Sequence, residues 1–448
     1  MTEASNSTYV STKQQRIAGL AKQSPLMGFT SLNHLLNPRW LYEAYCATRT
    51  DAAPGVDGQT AQDYSANLAV NLQALEGRAK SGTYRAAPVR RVRIPKGTGN
   101  ETRPLGIPTF EDKVLQRAVV MALEPIYEQD FLDCSYGFRP RRSAHQALQA
   151  LWQHTTELAG GWIVEVDIRR FFDTLDHAHL RALLRRRVRD GVLLRLIDKW
   201  LHAGVLEEGV LSYPESGTPQ GGVISPLLAN IYLHYVLDEW FEREVRPRLR
   251  GRAFLIRYAD DFVMGFACEE DARRVLAVLP KRFGKYGLTL HPDKTRLVDF
   301  RRPSTGSGHG GPGGRERGSF DFLGFTHHWG RSRQGRPVVS RRTARSRFAR
   351  SLGRLGDWLR RHVHAPVWEQ HRRLCQGLRG HYAYFGITGN VKALARFGWA
   401  VRRLWRKWLA RRRRGRWLNW EAFTSFLQRF PLPPVRVVHS VYRPGATT

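Results

Sequence analysis

The sequence predicts an α+β fold, and three features support this prediction. Short runs rich in β-branched and aromatic residues, at 162–168 and 254–266, have the composition of strands. Longer stretches, at 111–130 and 341–363, repeat apolar residues every three or four positions, as amphipathic helices do. A Gly/Ser-rich tract at 303–319, which cannot pack a core, separates a mixed region from a strongly basic one.

The first third of the chain is predicted to consist of helices followed by a hairpin. Residues 1–80 have mainly helical character, and the stretch from Leu32 to Tyr45 is amphipathic. Basic and apolar residues alternate over 88–94, which favours a strand with one charged face, and 95–100 have the composition of a hairpin turn. A helix over 111–130 follows.

The middle of the chain is predicted to alternate strands and helices. The strand at 162–168 precedes helices that continue to about 205, and the pair Ser225-Pro226 predicts a helix start with Ser225 as the cap. Residues 254–266 have the pattern of a tight hairpin that turns at Ala259-Asp260. A helix over 269–286 completes this part.

The net charge of +33 is unevenly distributed along the chain. Residues 331–420 contain 25 Lys and Arg but only Asp357 and Glu369 as acidic residues. Such a block attracts polyanions, of which nucleic acid is the commonest, although a solvated basic face or a membrane-surface patch has the same composition. With neither a secretory signal nor an apolar run of membrane-spanning length, we expect a cytoplasmic protein that does not enter a membrane.

Two distant segments each place Asp at the end of an apolar run. Asp167 follows the predicted strand, and Asp260 and Asp261 lie at the tip of the predicted hairpin. Three crowded carboxylates repel one another and need cations between them. Two hard cations on clustered carboxylates are suited to phosphoryl transfer by in-line displacement. The tetrapeptide Tyr-Ala-Asp-Asp alone is a weak signal because Asp also favours turns, but both segments together make the chain a candidate polymerase.

Seven motifs occur in a fixed order. They are Arg-Ile-Pro-Lys at 93–96 with Arg-Pro-Leu-Gly-Ile-Pro at 103–108, Tyr-Gly-Phe-Arg-Pro at 136–140 with Ser-Ala-His at 143–145, the Asp167 segment, Gly-Thr-Pro-Gln-Gly-Gly-Val-Ile-Ser-Pro-Leu at 217–227, Tyr-Ala-Asp-Asp at 258–261, residues 287–295, and Phe-Leu-Gly-Phe at 322–325. With these motifs the chain closely resembles reverse transcriptases encoded by group II introns. Residues 378–385 also resemble the motif of their thumb, or maturase, domain.

The resemblance implies a right-hand polymerase with fingers and a palm, built from antiparallel sheet and helices and followed by an α-helical thumb. The implied domain bounds are 1–80 for a helical N-terminal extension, 81–330 for fingers and palm with a flexible loop at 303–319, 331–420 for the basic thumb, and 421–448 for a C-terminal tail. No cysteine follows Cys375, so the metal-binding part of an HNH endonuclease is not expected, and we predict no DNA nicking.

The resemblance also implies roles at the site. Asp167, Asp260 and Asp261 are the implied catalytic residues and, with the backbone carbonyl of Ile168, would hold two Mg²⁺ ions, for which Mn²⁺ can substitute. The implied nucleotide-binding residues are Lys96 and Arg103 on the triphosphate, Phe172 under the sugar, Gln220 near the sugar or template base, and Gly221 for a close approach of the backbone to the nucleotide. The alternatives are surface charge for Lys96 and Arg103, a core position for Phe172 and an ordinary turn for the glycine.

Further positions are candidates for nucleic-acid contact. Arg139 either contacts template or holds the fingers together, Lys294 either approaches the primer or is a surface lysine, and His145 is more often structural. In the basic, Trp-rich segment 396–420, at least one of Trp405 and Trp408 is expected in the core, and the arginines around them are expected to follow a sugar-phosphate backbone. The basic candidates are Arg379, Arg402, Arg403, Arg406 and Lys407.

The expected partners are an RNA template, a DNA primer, dNTPs and group II intron RNA. The resemblance also implies a bacterial, nucleoid-associated protein. The expected function is RNA-directed DNA polymerase activity, with maturase-like RNA binding that assists splicing and retrohoming. A domesticated relative serving DNA repair or phage defence is a second hypothesis. A maturase that binds RNA without polymerising is a third, which the three Asp residues disfavour.

Overall fold

A computed structural model describes residues 3–95, 102–213, 216–218, 221–303, 318–332, 334–412 and 418–440. Helices are the main element of these ranges. The α-helices are α1 Glu3–Gln23, α2 Pro38–Cys46, α3 Ala61–Ser65, α4 Leu68–Ser81, α5 Phe110–Asp130, α6 Ala144–Glu157, α7 Phe171–Thr174, α8 His177–Leu184, α9 Gly191–Leu201, α10 Ser225–Leu233, α11 Glu269–Gly284, α12 Arg345–Arg361, α13 Val367–Phe385, α14 Val391–Arg412 and α15 Trp420–Arg429. None of the described helices is both long and apolar enough to cross a membrane.

The strands form three sheets. They are β1 Val89–Pro95, β2 Thr102–Ile107, β3 Trp162–Val166, β4 Val205–Glu207, β5 Val210–Ser212, β6 Ala253–Tyr258, β7 Asp261–Phe266, β8 Arg296–Asp299, β9 Phe320–Phe322, β10 Phe325–Arg331 and β11 Pro337–Thr343. The strand orders are β2-β1-β4-β5, β6-β7-β3-β8 and β11-β10-β9. The β1–β2, β6–β7, β9–β10 and β10–β11 pairs are antiparallel, so the predicted α+β class is confirmed.

Contacts divide the chain into two compact units. One takes in the described residues up to Ala147 together with Val166–Leu297, and the other takes in Leu148–Glu165 and the described residues from Val298 onward. In the first unit, α5 is the central helix. Its Val114, Leu115 and Leu123 are fully buried, and each such side chain contributes about 1.5–3 kcal/mol of burial free energy.

The hairpin predicted at 254–266 is confirmed. Strands β6 and β7 pair with Tyr258 opposite Asp261, which leaves Ala259 and Asp260 as the turn. Helix α11 covers this hairpin, and its Phe283 stacks on Phe262 with the ring centroids 5.9 Å apart. The strands that lead to the hairpin tip are therefore well packed against α11.

The predicted cap of α10 is wrong. Ser225 is the first residue of the helix itself, and Ile224 occupies the cap position. Ile224 is buried, and its N–H donates to the Gln116 side chain of α5 at 3.3 Å. Because this tertiary bond fixes the preceding chain, the helix begins without the side-chain cap that the local sequence suggested.

The second unit contains the sheet β11-β10-β9 and the basic helices α12–α14. Apolar residues of α12 face inward at Leu355 and Leu359, as the sequence predicts. The region assigned to a helical thumb begins with strand β11, and the segment assigned to a tail begins with α15, whose Phe423 is buried beside Trp405 with ring centroids 6.2 Å apart. The predicted loop at 303–319 lies mostly outside the described residues.

Candidate active site

Asp167 lies directly after β3, and its backbone is held by the segment that follows α11. The carbonyl of Asp167 accepts from the N–H of His291 at 2.8 Å, and the N–H of Arg169 donates to the carbonyl of Thr289 at 2.8 Å. Ile168 between them is buried and forms a bridge with Leu290. These bonds fix the direction in which the half-buried Asp167 side chain leaves the strand.

Asp260 lies at the tip of the β6–β7 hairpin and interacts with Asp167. Burial raises the pKa of the Asp260 carboxyl above its ordinary value, the negative charge of Asp167 raises it further, and the Arg103 guanidinium acts in the opposite direction. Such an effect requires the groups to be near one another. The structure therefore brings together Asp167, Asp260 and Arg103, which lie on three separate segments.

The third acidic residue, Asp261, begins β7 and is exposed. Within the described ranges, no group of three or more His, Cys, Asp or Glu side chains is arranged to hold a metal ion. Carboxylates are nevertheless the donors that Mg²⁺ prefers, and the repulsion between Asp167 and Asp260 is of the kind that a bound cation relieves. The chemistry of these residues thus fits a divalent cation.

Lys294 is placed against the acidic cluster. Its ammonium lies 2.7 Å from a carboxylate oxygen of Asp167, and both side chains are partly exposed. The backbone bond from His291 to Asp167 brings the short helical turn Pro292–Lys294 to this position. In this structure Lys294 therefore contacts a candidate metal ligand.

A cavity of about 260 Å³ lies in the first unit next to Phe172. Phe172 is 9% exposed and Phe171 is 2% exposed, so both rings are buried and Phe171 lies deeper in the core. The N–H of Thr218 donates to the carbonyl of Phe172 at 2.7 Å. The lining residues come from β1, β2, β4, the end of α9, the chain after Asp167 and the start of the 217–227 motif, and include Arg91, Pro104, Gly106, Phe172, Asp173 and Thr218.

Gly221 is required where the 217–227 motif approaches β2. Its φ is +119°, and a Cβ atom there would lie 2.4 Å from the carbonyl oxygen of Gly106. Only glycine tolerates both conditions. The contact seen is with β2, and the close approach of this backbone to a nucleotide stays a prediction. Lys96 and Gln220, the other predicted nucleotide contacts, lie outside the described residues.

The placement of Arg139 favours the structural role. Its side chain is buried, with donor groups bonded to the Glu128 carboxylate and to the carbonyls of Leu132 and Ser135. A guanidinium committed in this way has little capacity left for a phosphate. His145 is half-buried near the start of α6.

The basic candidates of the second unit lie on helix surfaces. Arg379 on α13 and Arg402, Arg403 and Lys407 on α14 are exposed, while Arg406 is half-buried. The Arg403 guanidinium lies 4.6 Å from the centroid of the exposed Trp399 ring, and that of Arg406 lies 4.2 Å from Trp420. As expected, Trp405 is a core residue, and its indole N–H donates to Gln370 at 3.0 Å.

One buried residue at the hairpin was missed. Arg257 lies on β6 three residues before Asp260, and its side chain is completely buried. The available signal was a charged residue directly after the apolar run Phe254-Leu255-Ile256 and within the predicted strand, where a strand buried on both faces does not normally place a charge.

Comparisons with known proteins agree with the motifs. The family described as reverse transcriptase (RNA-dependent DNA polymerase) matches residues 94–327, just over half of the chain. Protein YkfC of Escherichia coli strain K12 is 38% identical over 328 residues, covering 64% of this chain and 84% of that protein.

Relatives encoded by introns are also similar. The group II intron-encoded protein LtrA of Lactococcus lactis subsp. cremoris is 44% identical over 233 residues, covering 49% of this chain and 38% of LtrA. An uncharacterized 91 kDa protein in the cob intron of Schizosaccharomyces pombe is 44% identical over 273 residues, covering 49% of this chain and 33% of that protein. The matches therefore span well under half of these intron proteins. The chain belongs to the reverse transcriptase family, and its relatives include group II intron-encoded proteins.

Proposed function

We propose that the chain is an RNA-directed DNA polymerase that uses two Mg²⁺ ions, for which Mn²⁺ can substitute. Asp167, Asp260, Asp261 and the carbonyl of Ile168 are the proposed ligands. Bound Mg²⁺ would lower the pKa of the primer 3′-hydroxyl and offset the charge of the triphosphate. The observation that supports this most directly is that β3, which ends just before Asp167, is hydrogen-bonded to β7, which begins at Asp261, so the two acidic segments are neighbours in one sheet.

The protein groups around these carboxylates have separate tasks in this proposal. Arg103 binds triphosphate oxygens, because a planar guanidinium can bind two phosphate oxygens at once. Phe172 limits the room beneath the sugar at the cavity wall, which favours deoxynucleotides over ribonucleotides. Gly221 brings the backbone of its motif close to β2, and Lys96 and Gln220 keep their predicted roles at the triphosphate and near the sugar or template base.

The basic helices of the second unit are proposed to bind RNA. On α14, Lys392, Arg396, Trp399, Arg403 and Arg406 follow one another at spacings of three or four residues and so lie along one face of the helix. Arginine and tryptophan together suit a polyanion with stacking bases. We propose that residues 331–420 act as the thumb, that 81–330 form fingers and palm, and that group II intron RNA is a ligand in splicing and retrohoming.

Primer extension tests the polymerase proposal. The purified full chain should extend oligo(dT) on poly(rA) with dTTP and Mg²⁺, and Asp260→Asn should reduce the rate at least about 10³-fold because it removes a ligand charge. Asp51→Asn is the matched control, since Asp51 is an exposed carboxylate paired with Arg49.

Two outcomes would contradict the proposal. A wild-type protein that binds primer–template and does not extend it would favour the hypothesis of an RNA-binding maturase. An Asp260→Asn protein that extends normally would show that the acidic cluster is not the catalytic centre.

A further inference from the structure

Arg257 is completely buried and uses all five of its N–H groups. Its Nε and Nη2 donate to the two carboxylate oxygens of Asp238 at 2.7 and 2.6 Å. Nη2 also donates to the Ser135 hydroxyl at 2.7 Å, and Nη1 donates to the Asn230 side chain at 2.9 Å. The remaining bond runs from Nη1 to the carbonyl of Ala259 at 3.0 Å. Asp238 is also fully buried, so the pair has no competition from water.

The bond to Ala259 acts at a strained point of the turn. Ala259 has a φ of +58°, a left-handed conformation that costs free energy for a residue with a side chain. Ala259 directly precedes Asp260, so its conformation sets where the Asp260 carboxylate lies. The guanidinium holds the carbonyl of the strained residue from inside the protein.

A second segment packs against the same turn. Asn230, which accepts from Arg257, donates to the carbonyl of Gly137 at 2.7 Å, and the N–H of Tyr136 donates to the carbonyl of Arg257 at 2.9 Å. A Cβ atom on Gly137 would lie 2.3 Å from the backbone nitrogen of Ala259. The turn is therefore fixed by a bond on one side and by backbone contact on the other.

We infer that Arg257 is the positioning residue of the acidic turn: with Asp238, Asn230 and Ser135 it holds Ala259 in the left-handed conformation and so aims Asp260 at Asp167. The inference rests on the proposed function only in its consequence for catalysis. Its structural part, a turn that loses order when the guanidinium is removed, is independent of which reaction the protein performs.

The test removes the Arg257 guanidinium while limiting disruption of the core. The double substitution Arg257→Met with Asp238→Leu replaces both buried charges by apolar groups, which proteins often tolerate, whereas removing one partner leaves an unpaired buried charge. Arg257→Lys is the second variant, because it keeps the charge opposite Asp238 and cannot reproduce the five-donor fork.

The matched control is another ion pair in the same unit, of which Arg187 is buried and Asp130 largely so. Arg187 and Asp130 are paired at 2.8 Å, and Arg187 also donates to the carbonyls of Ser24 and Met27 in the N-terminal region. Arg187→Met with Asp130→Leu repeats the chemical change away from the turn. Circular dichroism and thermal unfolding establish that each variant is folded.

Two measurements do not depend on activity. Hydrogen exchange of a peptide spanning Tyr258–Phe262 should be faster in both Arg257 variants than in the wild type. The half-saturating concentration of Mn²⁺, followed by electron paramagnetic resonance of the free ion, should rise about 10–100-fold, the usual effect of losing a group that orients a metal ligand. The control pair should change neither quantity.

Primer extension then separates this inference from the proposed function. Single-turnover extension should slow about 10–100-fold while the Kd for primer–template stays unchanged. If the folded Arg257 variants show the same hydrogen-exchange rate and the same half-saturating Mn²⁺ concentration as the wild type, the inference is overturned, even if the wild type polymerises. If the wild type does not polymerise, the polymerase proposal fails, and exchange and Mn²⁺ binding still decide the role of Arg257.

Discussion

The Lys294 ammonium lies 2.7 Å from a carboxylate oxygen of Asp167, so two residues 127 positions apart form an ion pair at the candidate catalytic centre. A backbone hydrogen bond holds the pair in place: His291, three residues before Lys294, donates its N–H to the carbonyl of Asp167. Lys294 offsets one of the charges that make the cluster repulsive. It occupies a carboxylate oxygen that a divalent cation would also use.

Lys294→Met is therefore expected to tighten Mn²⁺ binding several-fold, because the ammonium no longer competes for Asp167. The stability change should stay within about 1 kcal/mol, since the pair is partly exposed. Titration of Mn²⁺ by electron paramagnetic resonance measures the effect, with the exposed Lys285→Met as control. Unchanged Mn²⁺ binding with weaker primer–template binding would instead support the primer contact predicted from sequence.

Phe172→Ala is expected to reduce discrimination against ribonucleotides about 10–100-fold, because it enlarges the cavity where the sugar is proposed to lie. The ratio of kcat/KM for dTTP and UTP in primer extension measures this. Phe171→Leu is the control: it should lower the free energy of unfolding by about 1 kcal/mol and leave the ratio unchanged. If wild type and Phe172→Ala have equal dTTP-to-UTP ratios of kcat/KM, the role of Phe172 is purely structural.

The basic face of α14 should bind RNA with strong salt dependence. Arg403→Ala is expected to reduce the slope of log Kd against log salt by about one, since one phosphate contact is lost. Trp399→Ala should weaken binding of single-stranded RNA by about 1–3 kcal/mol through lost stacking. Filter binding at several salt concentrations measures both, with the exposed Arg274→Ala as control. If both variants keep the salt slope and the RNA affinity of the wild type, this face of α14 is excluded as the RNA-binding surface.

Stability should fall as the solution is acidified below neutrality, and His327 should contribute. Its ring is fully buried and stacks on Phe320 with centroids 4.8 Å apart. Burial, reinforced by the Arg341 charge, lowers the pKa of His327 to about 3. The unfolded chain, with a pKa near 6.5, then takes up the proton first, so stability is present at pH 7 and is lost as the pH falls toward 3.

The free energy of unfolding of the wild type should accordingly fall by about 1–2 kcal/mol more than that of His327→Phe between pH 7 and pH 5. Denaturant unfolding at the two pH values measures the difference. His364→Phe is the control, because His364 is exposed. Identical pH dependence in wild type and His327→Phe would mean that His327 is not the group responsible.

The elements of the site could be predicted because their signals are local. The turn at Ala259-Asp260 follows from two strand patterns separated by two residues. The cap of α10 was predicted wrongly because Gln116, more than one hundred residues away, fixes the chain before Ser225. A residue pattern contains no information about such a bond.

The sequence by itself determined the α+β class, the hairpin, the basic C-terminal region and the membership in the reverse transcriptase family, because periodicity, charge and ordered motifs are properties of the chain alone. Tertiary structure decided which charges meet: Lys294 with Asp167, Arg139 with Glu128, and Arg257 with Asp238 beneath the turn. A charged side chain has the same appearance in a sequence whether it faces water, nucleic acid or a buried partner, and its role is fixed only when folding sets its distance from the opposite charge and from solvent.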